Sequence, residues 1–329
     1  MNPPIRSGAS ARCLAGASRF GATLTLLAIG AASVTGVPGF GAESAPAPTA
    51  NRVLATDLAF PEGPVVLPGG DVVAVEIMGN QLARVTPAGK SSVLAKLGPG
   101  PNGAALGPDG ALYVLTNGGA PGNTNGGSVQ RLDLESGAIR TLYTECDGQR
   151  LKGPNDIVFD ANGDFWFTDF AGGALYWART DGSGIRRIAD LPGANGIALA
   201  PDRHTLYVVE VQAHRVAVLN ITGRGTVQQA NGAAQVTLLP PIERGSLDSM
   251  KVEADGNLLL ASGEVGITTL SPDGKVLAQT AVNGLRVTNL AFGGLELRTL
   301  YVTGNQPGGM QGSIVQLPWP RPGLKLLYN

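Results

Sequence analysis

The feature that most constrains the fold is a short pattern repeated six times: a polar residue, a small or apolar run, a turn, and a second apolar run. The copies are Glu62–Gly70, Asn102–Gly110, Asn155–Gly163, Asn195–Arg203, Asp248–Gly256 and Asn289–Leu297. Each opens on a polar residue, here called an anchor, eight positions before the segment ends. The turns carry Asp-Gly, Asn-Gly or Gly-Gly, pairs that accept the positive φ of tight hairpins. Apolar strands follow at Val72–Val75, Leu112–Leu115, Phe165–Phe167, Leu206–Val209, Leu258–Leu260 and Leu300–Val302. Each unit therefore opens with a hairpin.

Successive anchors lie 40, 53, 40, 53 and 41 residues apart. Their mean of about 45 is the length of one four-stranded propeller blade. Six such blades need about 270 residues, and Arg52 to Asn329 supplies 278. The spacing predicts an all-β fold over residues 52–329: a six-bladed β-propeller with four-stranded antiparallel blades around a central channel. A β-sandwich of this length needs no fixed polar residue at the start of each repeat. The 48 Gly and 23 Pro residues suit many short strands joined by tight turns. The ring is expected to close by pairing a strand near Val53–Leu54 with the last blade.

Residues 1–50 read differently. Arg6, Arg12 and Arg19 lead into the apolar run Phe20–Ala32, followed by small residues and Ala-Pro repeats. This is the pattern of a secretory signal over residues 1–42 and an Ala/Pro linker over 43–51. The apolar run falls short of the roughly 18 residues of a membrane span, so export to the periplasm or beyond the cell, without a permanent anchor, is expected. Cys13 would leave with the signal, and Cys146 alone cannot form an intramolecular disulfide or a Cys-based zinc site. It reads as a spare thiol in a loop. His204 and His214, the only histidines, do not assemble into a triad with it. A net charge of −1 provides no basic field for nucleic acid.

The first strand of each blade lines a propeller's channel, so anchors at one offset face one another at one height. They are Glu62, Asn102, Asn155, Asn195, Asp248 and Asn289: two carboxylates and four amides, with no basic or thiol group. Converging carboxylates repel unless a cation intervenes, and carboxylate and amide oxygens are hard ligands that suit Ca²⁺. Single Asn or Asp residues also cap turns; six in register with a Glu among them point instead to one divalent ion. The amides of Asn102, Asn155 and Asn289, with Lys152 on a neighbouring loop, are candidates for holding substrate. Lys152 and Arg150 also read as ordinary solvated loop charges. Fourteen or fifteen positions beyond their anchors stand Glu76, Asp169 and Glu210, expected either to orient the anchors or simply to end strands. Asp109, Asn162, Asp202, Asp255 and Asp273 fall in turns at the opposite end and read as structural. Long inserts at 117–127, 144–154, 240–247 and 304–312 open on the anchor rim and can shape a substrate pocket.

Five stretches carry a family resemblance: Pro61-Glu62-Gly63-Pro64, Gly153-Pro154-Asn155-Asp156-Ile157, Asn195-Gly196-Ile197-Ala198, Leu247-Asp248-Ser249-Met250 and Thr288-Asn289-Leu290-Ala291-Phe292-Gly293-Gly294. In this order the chain resembles the gluconolactonase, senescence-marker-protein and luciferin-regenerating-enzyme-like six-bladed propellers over about residues 55 to 305. The resemblance implies a catalytic divalent ion, commonly Ca²⁺, and hydrolysis of lactones or related esters. It carries ligand roles onto Glu62, Asn195 and Asp248, and a role as ligand or substrate contact onto Asn155. Ser249 replaces the Gly more usual after that Asp, and Gly153 stands where sugar-lactone relatives can carry a substrate-binding Arg. These departures leave the ligand set intact and weaken an aldonolactone assignment. The expected chemistry is cation-assisted opening of a small-molecule lactone or ester, with Asp248 as base. Its rivals are a propeller that binds a small molecule or protein around a structural metal, and phosphotriester hydrolysis at the same ion.

Overall fold

Short strands that are apolar on both faces cannot bury themselves alone, so each four-stranded sheet must be covered on either side by another. The strands Val72–Glu76, Leu112–Thr116 and Phe165–Asp169 are buried at every position, which requires such double cover. A computed structural model describes residues 50–120 and 126–328 of the chain. The expected leader and nearly all of the linker lie outside the described residues.

Six antiparallel blades follow in order. Blade 1 comprises Pro61–Val66, Val72–Glu76, Gln81–Val85 and Ser91–Lys96. Blade 2 comprises Pro101–Leu106, Leu112–Thr116, Ser128–Leu132 and Ile139–Tyr143. Blade 3 comprises Pro154–Phe159, Phe165–Asp169, Ala174–Ala178 and Ile185–Asp190. Blade 4 is built on Ala194–Leu199, Thr205–Glu210 and Arg215–Gly223, with Thr237–Leu238 along its outer edge. Blade 5 comprises Met250–Val252, Leu258–Ala261, Ile267–Leu270 and Val276–Thr280. Blade 6 joins Arg286–Gly293, Thr299–Asn305 and Gln311–Pro318 to Arg52–Ala59 from the other end of the propeller, with Val53 opposite Val315. The sheet thus closes the ring as the sequence leads one to expect, and six apolar clusters weld successive blades together.

The two longer anchor spacings have visible causes. One houses the small hairpin Glu145–Cys146/Gln149–Arg150, and the other the excursion that carries Thr226–Val227, Gln229–Ala230 and Ala233–Ala234. Cys146 is accordingly no loop thiol: it is buried beside Tyr143 and Leu151 in the cluster between blades 2 and 3. At the bottom of the ring the turn aspartates act locally, as expected. Asp202 accepts from the His204 and Thr205 amides at 2.8 Å each, and Asp109 pairs with Arg131 at 2.7 Å.

The C-terminal segment closes the bottom of the channel. Trp319 Nε1 donates to the buried Glu253 at 2.6 Å, Leu324 N to Val252 O at 2.9 Å, and Tyr328 reaches Asp160 O at 3.2 Å. Leu324 and Leu326 line an apolar cavity of about 70 Å³ inside that end. The channel is therefore entered from the anchor end.

Around the axis the inner strands approach so closely that side chains are excluded next to some anchors. A Cβ at Gly103 would lie 2.1 Å from Asn155 O, and one at Gly196 would lie 2.7 Å from Met250 N. Gly103→Ala is expected to cost about 3 kcal/mol of unfolding free energy through forced backbone displacement. Gly69→Ala, with nothing within 4 Å, is expected to be nearly neutral. Denaturant titration of both variants checks the contrast, and equal stabilities would contradict it.

Candidate metal centre and active site

In blades 1 to 4 the register between the inner strand and its neighbour shifts immediately after the anchor, at Glu62/Val65, Pro101/Ala104, Pro154/Ile157 and Ala194/Ile197. Such bulges bend a strand and re-aim its side chains. Here they accompany anchors that enter one cavity of about 250 Å³, lined by Glu62, Asn102, Asn155, Asn195 and Asp248. Asn195 Nδ2 donates to Asp248 Oδ1 at 2.8 Å, linking blades 4 and 5 across the floor.

The sixth anchor behaves differently. Asn289 does not line that cavity; it lies beneath it and faces the apolar bottom cavity. Its Nδ2 donates to Glu62 Oε2 at 2.6 Å and to Asp156 Oδ1 at 3.1 Å. Its Oδ1 accepts from Leu290 N at 2.7 Å and Lys251 Nζ at 3.2 Å. Asn289 therefore orients Glu62, and the substrate contact expected of it has no access. Lys152 is exposed and outside the cavity lining; only its backbone N–H is engaged, to Asp169 at 2.8 Å.

Glu76, Asp169 and Glu210 do not reach the anchors either. They pair with Pro61, Pro154 and Ala194, the residues just before the anchors. Strand alternation then turns them to the opposite face. They tie down loops instead. Asp169 accepts from the amides of Lys152, Gly153 and Gly172 at 2.7–2.8 Å, Glu76 accepts from Ala59 N at 2.8 Å, and Glu210 pairs with Arg215 at 2.6 Å. Gly153 lines the cavity, so Asp169 shapes its wall through the loop.

Sequence reasoning missed a second polar layer under the floor. Asp156 and Ser249 occupy the position after the anchor, where blades 1, 2 and 4 have glycine. Ser249 Oγ donates to Asp156 Oδ2 at 2.5 Å, so the two polar exceptions bond each other. Lys251 joins them through Asn289, and Arg286 lines the cavity near Asp248. The available signal was the break in the glycine pattern and a lone Lys between Met250 and Val252.

The electrostatics follow from crowding acids in a poorly hydrated channel. Burial first, then the charges of Asp248 and Asp156, push the Glu62 carboxyl well above its ordinary range, against hydrogen bonds from Asn289 and Gly63. Burial and Asp156 raise Asp248 to about 7, opposed by Arg286 and Asn195. Burial lowers Lys251, while Asp156 and Glu62 hold its proton on.

Among the described residues no group of three His, Cys, Asp or Glu side chains is arranged to hold an ion. The floor offers a mixed set instead. Glu62 Oε2 and Asp248 Oδ1 are hydrogen-bonded, and no described donor engages Glu62 Oε1 or Asp248 Oδ2. Asn195 Oδ1 is buried without a partner, and the Asn155 amide faces the same cavity. An unpartnered amide oxygen beside two repelling carboxylates fits a hard divalent cation, which would relieve both defects.

Residues 60–306 match the SMP-30/Gluconolactonase/LRE-like region. The chain belongs to that family. It is 27% identical to a gluconolactonase of Zymomonas mobilis over 74% of this chain and 75% of that protein. It is 28% identical to a pentonolactonase of Haloferax volcanii over 78% and 84%. Among solved structures, the calcium-binding protein regucalcin of Agrobacterium tumefaciens superposes with a TM-score of 0.70 at 20% identity, covering 85% of this chain and 97% of that one.

Two outcomes follow for this family member. Because the folded Asp248 carboxyl is raised, its contribution to stability is complete at acid pH and lost as pH rises through about 7. The chelator-treated protein should therefore lose thermal stability between about pH 5.5 and about pH 8, and added Ca²⁺ should raise Tm more at the higher pH. Scanning calorimetry at both pH values checks this; equal Ca²⁺ shifts would contradict it. Asn289→Leu should weaken Ca²⁺ binding by roughly 10–100-fold in a calorimetric titration, because Glu62 loses the donor that fixes it.

Proposed function

We infer that this protein is a hydrolase that opens a lactone ring with the aid of a divalent cation, Ca²⁺ by the chemistry of its ligands. The observation that carries the reading is the convergence of oxygens from Glu62, Asn155, Asn195 and Asp248 on the floor of an open cavity. The relatives named gluconolactonase and pentonolactonase support the substrate class, and the structural neighbour described as calcium-binding supports the choice of ion.

A cation bound there would draw charge from the lactone carbonyl and stabilise the oxyanion that develops. The chain's own groups do the rest. Glu62, Asn155 and Asn195 fix the floor, and the amides do so without adding charge that would blunt the cation. Asp248 takes a proton from the attacking water as its oxygen bonds to the carbonyl carbon. The ring C–O bond then breaks, and the ring oxygen leaves with the proton that Asp248 returns. The products are one hydroxy acid and the unchanged site. Burial and the neighbouring Asp156 raise the Asp248 carboxyl toward the basicity this task needs.

Asp248→Asn is expected to keep the fold, by circular dichroism, and to lose about 10²- to 10⁴-fold in lactone turnover followed by acid release. Chelation should abolish wild-type turnover, and Ca²⁺ should restore it. Strong Ca²⁺ stabilisation with no turnover on any lactone or ester would overturn the enzyme reading in favour of a binding propeller.

A further inference from the structure

The floor of the cavity is polar, and two of its walls are apolar. Phe60 and Ile77 of blade 1, Phe170 of blade 3, Val211 of blade 4 and Leu247 entering blade 5 enclose the space above the anchors. The apolar surface continues beyond the mouth. Ile77 N donates to Phe60 O at 3.1 Å, Met78 N to Ala59 O at 3.1 Å, and Phe60 N to Met310 O at 2.7 Å, so three loops are laced into one lip. Met78 and Met310 stand 44% and 55% exposed on that lip, and Phe170 is 38% exposed at the blade 3 side of the cavity.

Polar groups border the cavity as well, from the sides of blades 2, 5 and 6: Asn102, Asn117, Ser246 and Arg286. Asn117 Oδ1 accepts from Gly119 N at 3.1 Å. Ser246 Oγ is buried and has no hydrogen-bond partner among the described residues. Arg286 leans on Glu264 at 3.4 Å, and Gly153 offers no side chain. Among the described residues the Asn102 amide and Asn117 Nδ2 have no hydrogen-bond partner, beside the Asn155 of the floor. A ring bearing several hydroxyls would find partners only toward blades 2, 5 and 6, and hydroxyls turned to the Phe60–Ile77 and Phe170–Val211 walls would be left unpaired, which weighs against binding. An alkyl or aryl arm would lie along the apolar side chains of those walls.

We propose that the lactone opened at this site carries an apolar alkyl or aryl substituent, held between the Phe60–Ile77 wall and the Phe170–Val211 wall, rather than the hydroxylated ring of a sugar lactone. The proposal rests on the lactone-opening reading and sets this chain apart from relatives named for gluconolactone and pentonolactone. The ester group sits over the anchors, and the arm points toward the Met78–Met310 lip.

The test compares kcat/KM of the Ca²⁺-loaded protein for gluconolactone, unsubstituted δ-valerolactone and a δ-lactone with a six-carbon alkyl arm. In parallel, calorimetry measures binding of δ-valerolactam with and without the same arm. The alkyl lactone is expected to exceed both others by at least about tenfold, mainly through KM, and the alkyl lactam to bind at least about tenfold more tightly than the bare ring. Phe170→Ser should lower kcat/KM for the alkyl lactone about tenfold more than for δ-valerolactone. Equal or greater kcat/KM for gluconolactone, or no gain in lactam binding from the arm, would overturn the proposal. If no lactone is hydrolysed, the lactone-opening reading fails, and the lactam pair still decides whether the walls hold an apolar arm.

Discussion

Two carboxylates set the terms for the centre of this molecule. Glu62 and Asp248 come from opposite ends of the sequence to the floor of one cavity, where burial and mutual repulsion favour protons over charge. A fold tolerates such a pair only if something compensates it. Lys251 lies below, bonded to Asn289, and Arg286 lines the side and opposes the rise of Asp248. Three acids, Glu62, Asp156 and Asp248, nevertheless meet two bases, and an amide oxygen at Asn195 stays unpartnered. A doubly charged ion bound at the floor would compensate that deficit.

The propeller makes this crowding mechanically possible. Each blade donates one anchor, and six apolar interfaces hold the blades so firmly that the anchors cannot retreat from one another. Close approach at Gly103 and Gly196 brings the inner strands together, and the C-terminal segment closes the bottom. What remains is a channel with one entrance, a polar floor and two apolar walls. Asn289 shows how the same six-fold position divides its labour: five anchors face the cavity, while the sixth holds Glu62 in place.

Much of this was legible in the sequence because periodicity reports it. The anchor spacing gave the blade number, the turn residues placed the hairpins, and the strand near Val53 supplied the closing partner. That Glu62, Asn155, Asn195 and Asp248 meet at one cavity was legible for the same reason, since they share one offset. Counting residues failed where pairing mattered more than spacing. Glu76, Asp169 and Glu210 recur with the anchors, yet each pairs with the residue before one and turns away. The layer formed by Asp156, Ser249 and Lys251 stayed hidden because its bonds join blades 3, 5 and 6, contacts between residues up to 133 positions apart that no local pattern encodes. The apolar walls were equally invisible, being drawn one or two residues at a time from separate loops.

The most direct test of the central claim is anomalous-difference crystallography of the protein grown with Mn²⁺ or Ca²⁺. A single strong peak on the propeller axis is expected, at about 2.0–2.6 Å from oxygens of Glu62, Asn155, Asn195 and Asp248. A fully occupied crystal with no peak there, or with the ion bound elsewhere and these four side chains hydrogen-bonded only to protein and water, would contradict it.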